Sequence, residues 1–147
     1  MKLHRSTQRG FSMIEVLIAI VVLAIGLLGF ALLQTTNLRY TQSANNRTMA
    51  TNLAYSLLDQ MRSNRLSAAQ YTSAGFATAA CTAPAGNDAV SQGIANWRCQ
   101  VLNALGPSAQ ATVTYDASGE ATVTLSWGER SAIASEDTTE FTARTQL

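Results

Sequence analysis

A chain of 147 residues and 15.7 kDa has room for one modest domain beside any anchoring segment. Its formal charge is +1, but without Lys2, Arg5 and Arg9 at the start the ten basic residues fall to seven against nine acidic ones. That balance argues against the clustered Lys and Arg that phosphate-backbone binding requires, so nucleic acid is not expected as a dominant partner.

The first ten residues form a basic leader ending in Arg9-Gly10, and an apolar stretch follows from Phe11. From Val16 to Leu33 no charged residue occurs. As a helix this segment approaches the roughly 20 residues needed to span a bilayer. Glu15 stands just inside its start. An ionised side chain in such a segment costs about 2.5–3.5 kcal/mol at the bilayer centre on insertion scales, and less near the interface. The residue therefore marks a functional site and calls for a counter-ion.

Basic residues ahead of the span favour an N-terminus that stays in the cytoplasm and a remainder of the chain that crosses the membrane. A cleaved secretory signal is the alternative. The apolar run exceeds the roughly 7–15 residues of a signal core, and no small-x-small site follows before Gln34-Thr35-Thr36-Asn37, so the helix is expected to be retained.

Beyond Leu33 neither Pro nor Gly occurs until Gly75, which predicts that the helix continues out of the membrane. Met49, Leu53, Leu57 and Met61 form a row at four-residue spacing, widened by Ala50, Ala54 and Leu58, with Asn46, Arg47, Asn52, Asp59 and Arg62 opposite. Residues 67–87 are rich in Ala, Ser, Thr and Gly, include Pro84 and Gly86, and read as an irregular connector. A second amphipathic helix is expected from a cap at Asn87 or Asp88, carrying Val90, Ile94, Trp97, Val101, Leu102 and Leu105 before Gly106-Pro107 stops it.

The last third alternates with period two. Ala111, Val113 and Tyr115, then Ala121, Val123, Leu125 and Trp127, flank the turn Asp116-Ala117-Ser118-Gly119 and predict a β-hairpin. A third strand is expected near 139–146, with Phe141 and Ala143 on its apolar face, after a polar loop holding Glu129, Arg130, Glu136 and Asp137. The fold class is α+β: a long N-terminal helix packed on a small head with a second helix and an antiparallel sheet of three or more strands. The division is 1–10 leader, 11–33 membrane segment, 34–66 exported half of the long helix, and 67–147 head.

Cys81 and Cys99 lie in the exported part, where an oxidising compartment favours a disulfide closing a loop of about 18 residues, on the order of 3 kcal/mol. Two free buried thiols are the alternative. The spacing is not that of a redox Cys-x-x-Cys pair. The only histidine, His4, falls in the leader, no phosphate-cradling loop or local nucleophile motif is present, and the acids of the head read as solvated surface. No catalytic residue, metal ligand or cofactor is expected, and Trp97, Trp127, Tyr115 and Phe141 read as core.

The run Arg9-Gly10-Phe11-Ser12-Met13-Ile14-Glu15 before an apolar helix resembles the processing site of the type IV prepilin and pseudopilin superfamily. The resemblance implies cleavage after Gly10 by a prepilin peptidase and N-methylation of the new terminal Phe11. It also implies that Glu15 pairs with the amino terminus of a neighbouring subunit during assembly. The wording around Gly10–Ala19 and Ala24–Gly29 resembles minor pilins more than major ones, and the position matching the major pilins' helix proline is Leu32.

The implied partners are other minor pilins, the major pilin, the peptidase, a tip adhesin and the inner membrane. The implied function is priming or capping of a type IV pilus. A minor pseudopilin of a type II secretion system, and a tip head that binds a host surface or DNA, are the alternatives.

Overall fold

A computed structural model of the chain describes residues 10–78, 81, 88–129 and 138–147. Lys2, His4, Arg5, Arg9, Pro84, Gly86, Asn87, Arg130, Glu136 and Asp137 lie outside the described residues. The elements in order are α1 (Met13–Ser63), a 3₁₀ helix (Arg65–Ala74), α2 (Ala89–Leu105), β1 (Gln110–Tyr115), β2 (Glu120–Gly128) and β3 (Thr138–Gln146). The chain divides into two compact units, Met1–Tyr40 and Thr41–Leu147. In the first, every described residue is exposed. The architecture is the α+β, pilin-like layout of a long apolar N-terminal helix, a further helix and a three-stranded antiparallel sheet.

The second unit holds the core. α1 contributes Ala50, Ala54, Leu57, Leu58 and Met61 to it. Met49 is instead 41% exposed and Leu53 half-buried, so the buried stripe is turned away from the Met49–Leu53 edge of the expected row. The reason is the placement of α2, whose Trp97 donates its indole N–H to the Leu53 carbonyl at 2.8 Å.

α2 starts at Asp88, which has extended backbone and accepts the Ser91 amide at 3.0 Å. This satisfies one of the donors a helix start leaves open. The amide and hydroxyl of Ser91 hold the Asp88 carboxyl below its ordinary value. At the other end Gly106 takes φ +94°, a conformation glycine adopts without penalty, and Pro107 follows. Val90, Ile94, Trp97, Val101 and Leu105 are buried.

Strand order is β1-β2-β3, antiparallel throughout. Ala111↔Leu125, Val113↔Val123, Val123↔Ala143 and Leu125↔Phe141 lie in register, so the apolar alternation falls on one face, which closes over the helices. At the hairpin, the Asp116 carboxylate accepts the Ser118 hydroxyl at 2.7 Å and the Ser118 and Glu120 amides at 2.9 Å each. The Ser118 hydroxyl first, then the Glu120 amide, hold its carboxyl below the usual range.

Of the irregular connector expected over 67–87, residues 67–74 are instead part of a 3₁₀ helix, Arg65–Ala74, that buries Ala68, Tyr71 and Ala74, while 79, 80 and 82–87 lie outside the described residues. Spacing of three is the period at which 3₁₀ side chains superimpose. Burial raises the pKa of the Tyr71 phenol, opposed by the hydrogen bond that Asn64 donates to it at 3.2 Å. The Arg98 guanidinium donates to the carbonyls of Ser73, Ala74 and Gly75, closing the end of that helix. Phe76 then bridges to Ala111 on the outer edge of β1 by two backbone hydrogen bonds of 2.7 and 2.9 Å.

Glu129 is also not plain solvated surface. Its carboxylate accepts the Trp127 indole N–H at 3.0 Å and the Ser43 hydroxyl at 2.9 Å, tying the end of β2 to α1. Burial of Trp127 leaves its one donor in need of an acceptor, and the nearest acid in sequence supplies it.

Candidate assembly segment

Residues 10–33 carry the chemistry singled out in the sequence. Gly10 and Phe11 precede the helix, and Phe11 is 84% exposed. The Ser12 carbonyl accepts the amides of Glu15 and Val16 at 3.1 and 3.3 Å, which sets the helix start directly after Ser12. A Cβ added at Gly10 would meet nothing within 4 Å, so no packing in this structure demands glycine there.

Glu15 lies in the first turn of α1, where the positive end of the helix dipole favours a carboxylate. It is exposed, and among the described residues the only ion pair is Arg144–Glu120 at 3.8 Å, so no described cation neutralises it. The apolar side chains from Val16 to Leu33 are all exposed within the chain. α1 is long and apolar enough to cross a membrane, and none of its most apolar window is buried. A rod of this composition requires lipid or like helices around it. Gly26 and Gly29 likewise have nothing within 4 Å of an added Cβ, which leaves the backbone there open to close approach by another helix.

Beyond this segment, Cys81 and Cys99 are joined in a disulfide with Cα atoms 4.9 Å apart. Cys99 follows Arg98 on α2, so consecutive residues hold Cys81 and the end of the 3₁₀ helix. Arg98 and Glu129 escaped the sequence reading. For Glu129 the signal was available: an acid two residues from a core tryptophan. For Arg98 there was none, since its acceptors are backbone carbonyls more than twenty residues away.

Residues 5–31 match the prokaryotic N-terminal methylation motif. Comparison with curated proteins and with solved structures gives no match. The motif lies across the leader and most of the apolar segment. Together with the α+β layout it supports the type IV pilin or pseudopilin class, whose members are typically structural subunits that pass through a prepilin peptidase and assemble with other pilins in a membrane context. The motif and the apolar helix also fit anchoring in the inner membrane.

Proposed function

We propose that the chain is a PilV-like minor pilin that primes or caps a type IV pilus together with other minor pilins. In this reading residues 1–10 are removed after Gly10, Phe11 becomes the N-methylated terminus, and 11–33 is the membrane and assembly helix. Residues 34–66 carry that helix into the periplasm, and 67–147 form the head. The observation that carries it is Glu15: one carboxylate at the head of an exposed apolar rod, without a described counter-ion, beside the methylation motif.

Removal of the leader would create an ammonium at Phe11 on every copy. When the rods gather, the Glu15 carboxylate of one subunit and the amino terminus of the next neutralise each other, and an ion left alone in the bundle is penalised. The charge pair thereby sets the register. The glycine at position 10, without a packing reason of its own, fits a requirement imposed by the peptidase.

Glu15→Ala should leave membrane insertion intact and reduce incorporation into the initiating complex, read by co-purification with other minor pilins and by counting pili. Normal pili from that variant would contradict the mechanism. Co-purification with secretion components in place of pilins would move the chain to the pseudopilins.

A further inference from the structure

The two outer edges of the sheet differ. Along β1, the outward N–H and C=O of Ala111 are taken by Phe76. Along β3, no strand or bridge lies on the outer side among the described residues. β3 is nine residues long and contains neither Pro nor Gly. A long open edge is a template for another strand unless its side chains prevent pairing.

The pairing fixes which groups of β3 face outward. Ala111 bonds outward, so Thr112 and Thr114 bond to β2, and Val123 and Leu125 of β2 bond in turn to Ala143 and Phe141. The amides of Asp116 and Leu147, which donate to the carbonyls of Glu120 and Gly119, keep the same alternation. Thr138, Glu140, Thr142, Arg144 and Gln146 therefore turn their N–H and C=O groups to the open side, and all five residues are exposed.

This row is its own complement. Laid antiparallel against a second β3 with Thr142 opposite Thr142, the strands overlap over all nine residues, and Glu140 of each faces Arg144 of the other. Centring the pair on Glu140 or on Arg144 instead shortens the overlap and sets like charges opposite each other, which is destabilising where opposite charges stabilise. Glu140 has no ion-pair partner among the described residues, and Arg144 has only a contact of 3.8 Å to Glu120. On the other face half-buried Phe141 falls opposite Ala143 of the second copy, so the apolar face continues across the join.

We infer that β3 is a docking edge for β3 of a second copy of this chain, giving a six-stranded sheet with a two-fold axis at Thr142. The contact is isologous and closes on a dimer. The head part of α1 runs the same way as β3, from Ser43, which donates to Glu129 at the end of β2, to Arg62, which donates to Thr145 at 2.7 Å. Antiparallel β3 strands thus set the two helices in opposite senses. Neighbours packed side by side in one bundle have parallel helices, so the pair joins heads presented from two separate membranes or filaments. The strand pairing stands on the head alone, whereas this last step rests on the reading of α1 as the membrane and assembly helix.

Full-length chain carrying Thr142→Cys, in detergent, tests the pairing. Bonded antiparallel partners hold their Cα atoms about 5.5 Å apart, within the span of about 4.4–6.8 Å that a disulfide bridges. Under mild oxidation the covalent dimer should exceed, by tenfold or more, that of Thr112→Cys, an exposed position on β1. Glu140→Arg or Arg144→Glu, each added to Thr142→Cys, should lower the yield at least fivefold, and the two together should restore it. A yield equal to the Thr112→Cys control, or a charge-swapped double variant no better than either single one, would overturn the inference.

Two liposome populations, each holding the Thr142→Cys chain with a different tag and its heads outward, test the orientation. After mixing, dimers carrying both tags should form as often as dimers carrying one. Dimers of one tag only would place the contact between neighbours in one membrane and overturn the opposed arrangement. Failure of the chain to enter liposomes would remove the membrane reading, and the detergent dimer would still decide the strand pairing.

Discussion

Trp97 is the residue through which the head's three layers depend on one another, and its removal has a calculable effect. Its side chain is 1% exposed, packed in the core shared by α1, α2 and the sheet, and its indole N–H reaches the Leu53 carbonyl at 2.8 Å. Trp97→Ala loses the buried surface and leaves a cavity, about 3–5 kcal/mol by analogy with large-to-small core changes.

Trp97→Phe loses the hydrogen bond and part of the ring. The Leu53 carbonyl is not orphaned, because a helix carbonyl also accepts within its own ladder, so the hydrogen bond contributes only about 0.5–1.5 kcal/mol. With the smaller ring the Phe variant should fall between wild type and Ala. For a domain near 100 residues, each 1 kcal/mol lowers the unfolding midpoint by roughly 4–8 °C. Thermal and urea unfolding of the full chain in detergent, followed by circular dichroism, measures this. An Ala variant within about 1 kcal/mol of wild type would refute the claim that Trp97 joins the layers.

Three further outcomes follow from the head. Replacing Cys81 and Cys99 with Ser should lower stability by about 3 kcal/mol, the loop-closure value for a loop of this length, and the urea midpoint with and without reductant checks it. Arg98→Ala leaves the carbonyls of Ser73, Ala74 and Gly75 without their charged donor, about 1.5–3 kcal/mol for a hydrogen bond to an ion. Amide exchange at Phe76 and Ala111 should accelerate before exchange within β2 does.

The lowered pKa values of Asp88 and Asp116 fix a pH dependence. Their stabilisation is present above the unfolded carboxyl value of about 3.9 and is lost as pH falls through the lower folded values. The urea midpoint of wild type should therefore drop as pH is taken from about 5 towards 2. A double Asn variant should show a smaller drop, and equal drops would contradict the assignment.

The parts of the fold legible in the sequence are those set by local periodicity. Val113 and Val123 meet in the sheet because the Asp116–Gly119 turn and period-two alternation leave one register that buries both. α2 ends where Gly106-Pro107 ends it. The rotation of the α1 stripe was not legible, since Met49 and Leu53 are as apolar as Leu57 and only the position of α2 decides which are covered.

The 3₁₀ helix was hidden by composition. Ala68, Tyr71 and Ala74 carry a three-residue spacing, but two alanines make a weak signal among Ser and Thr. The assembly segment lies at the opposite extreme, because Gly10, Phe11 and Glu15 stand out against an apolar background before any tertiary contact exists.

Assembly through Glu15 depends on a new amino terminus at Phe11 that can meet Glu15 of an adjoining subunit. Intact-mass and N-terminal peptide analysis of the mature protein from its native membrane tests this most directly. It should begin at N-methylated Phe11 and retain the apolar helix. Protein that still begins at Met1, or that lacks residues 11–33 altogether, would contradict the account.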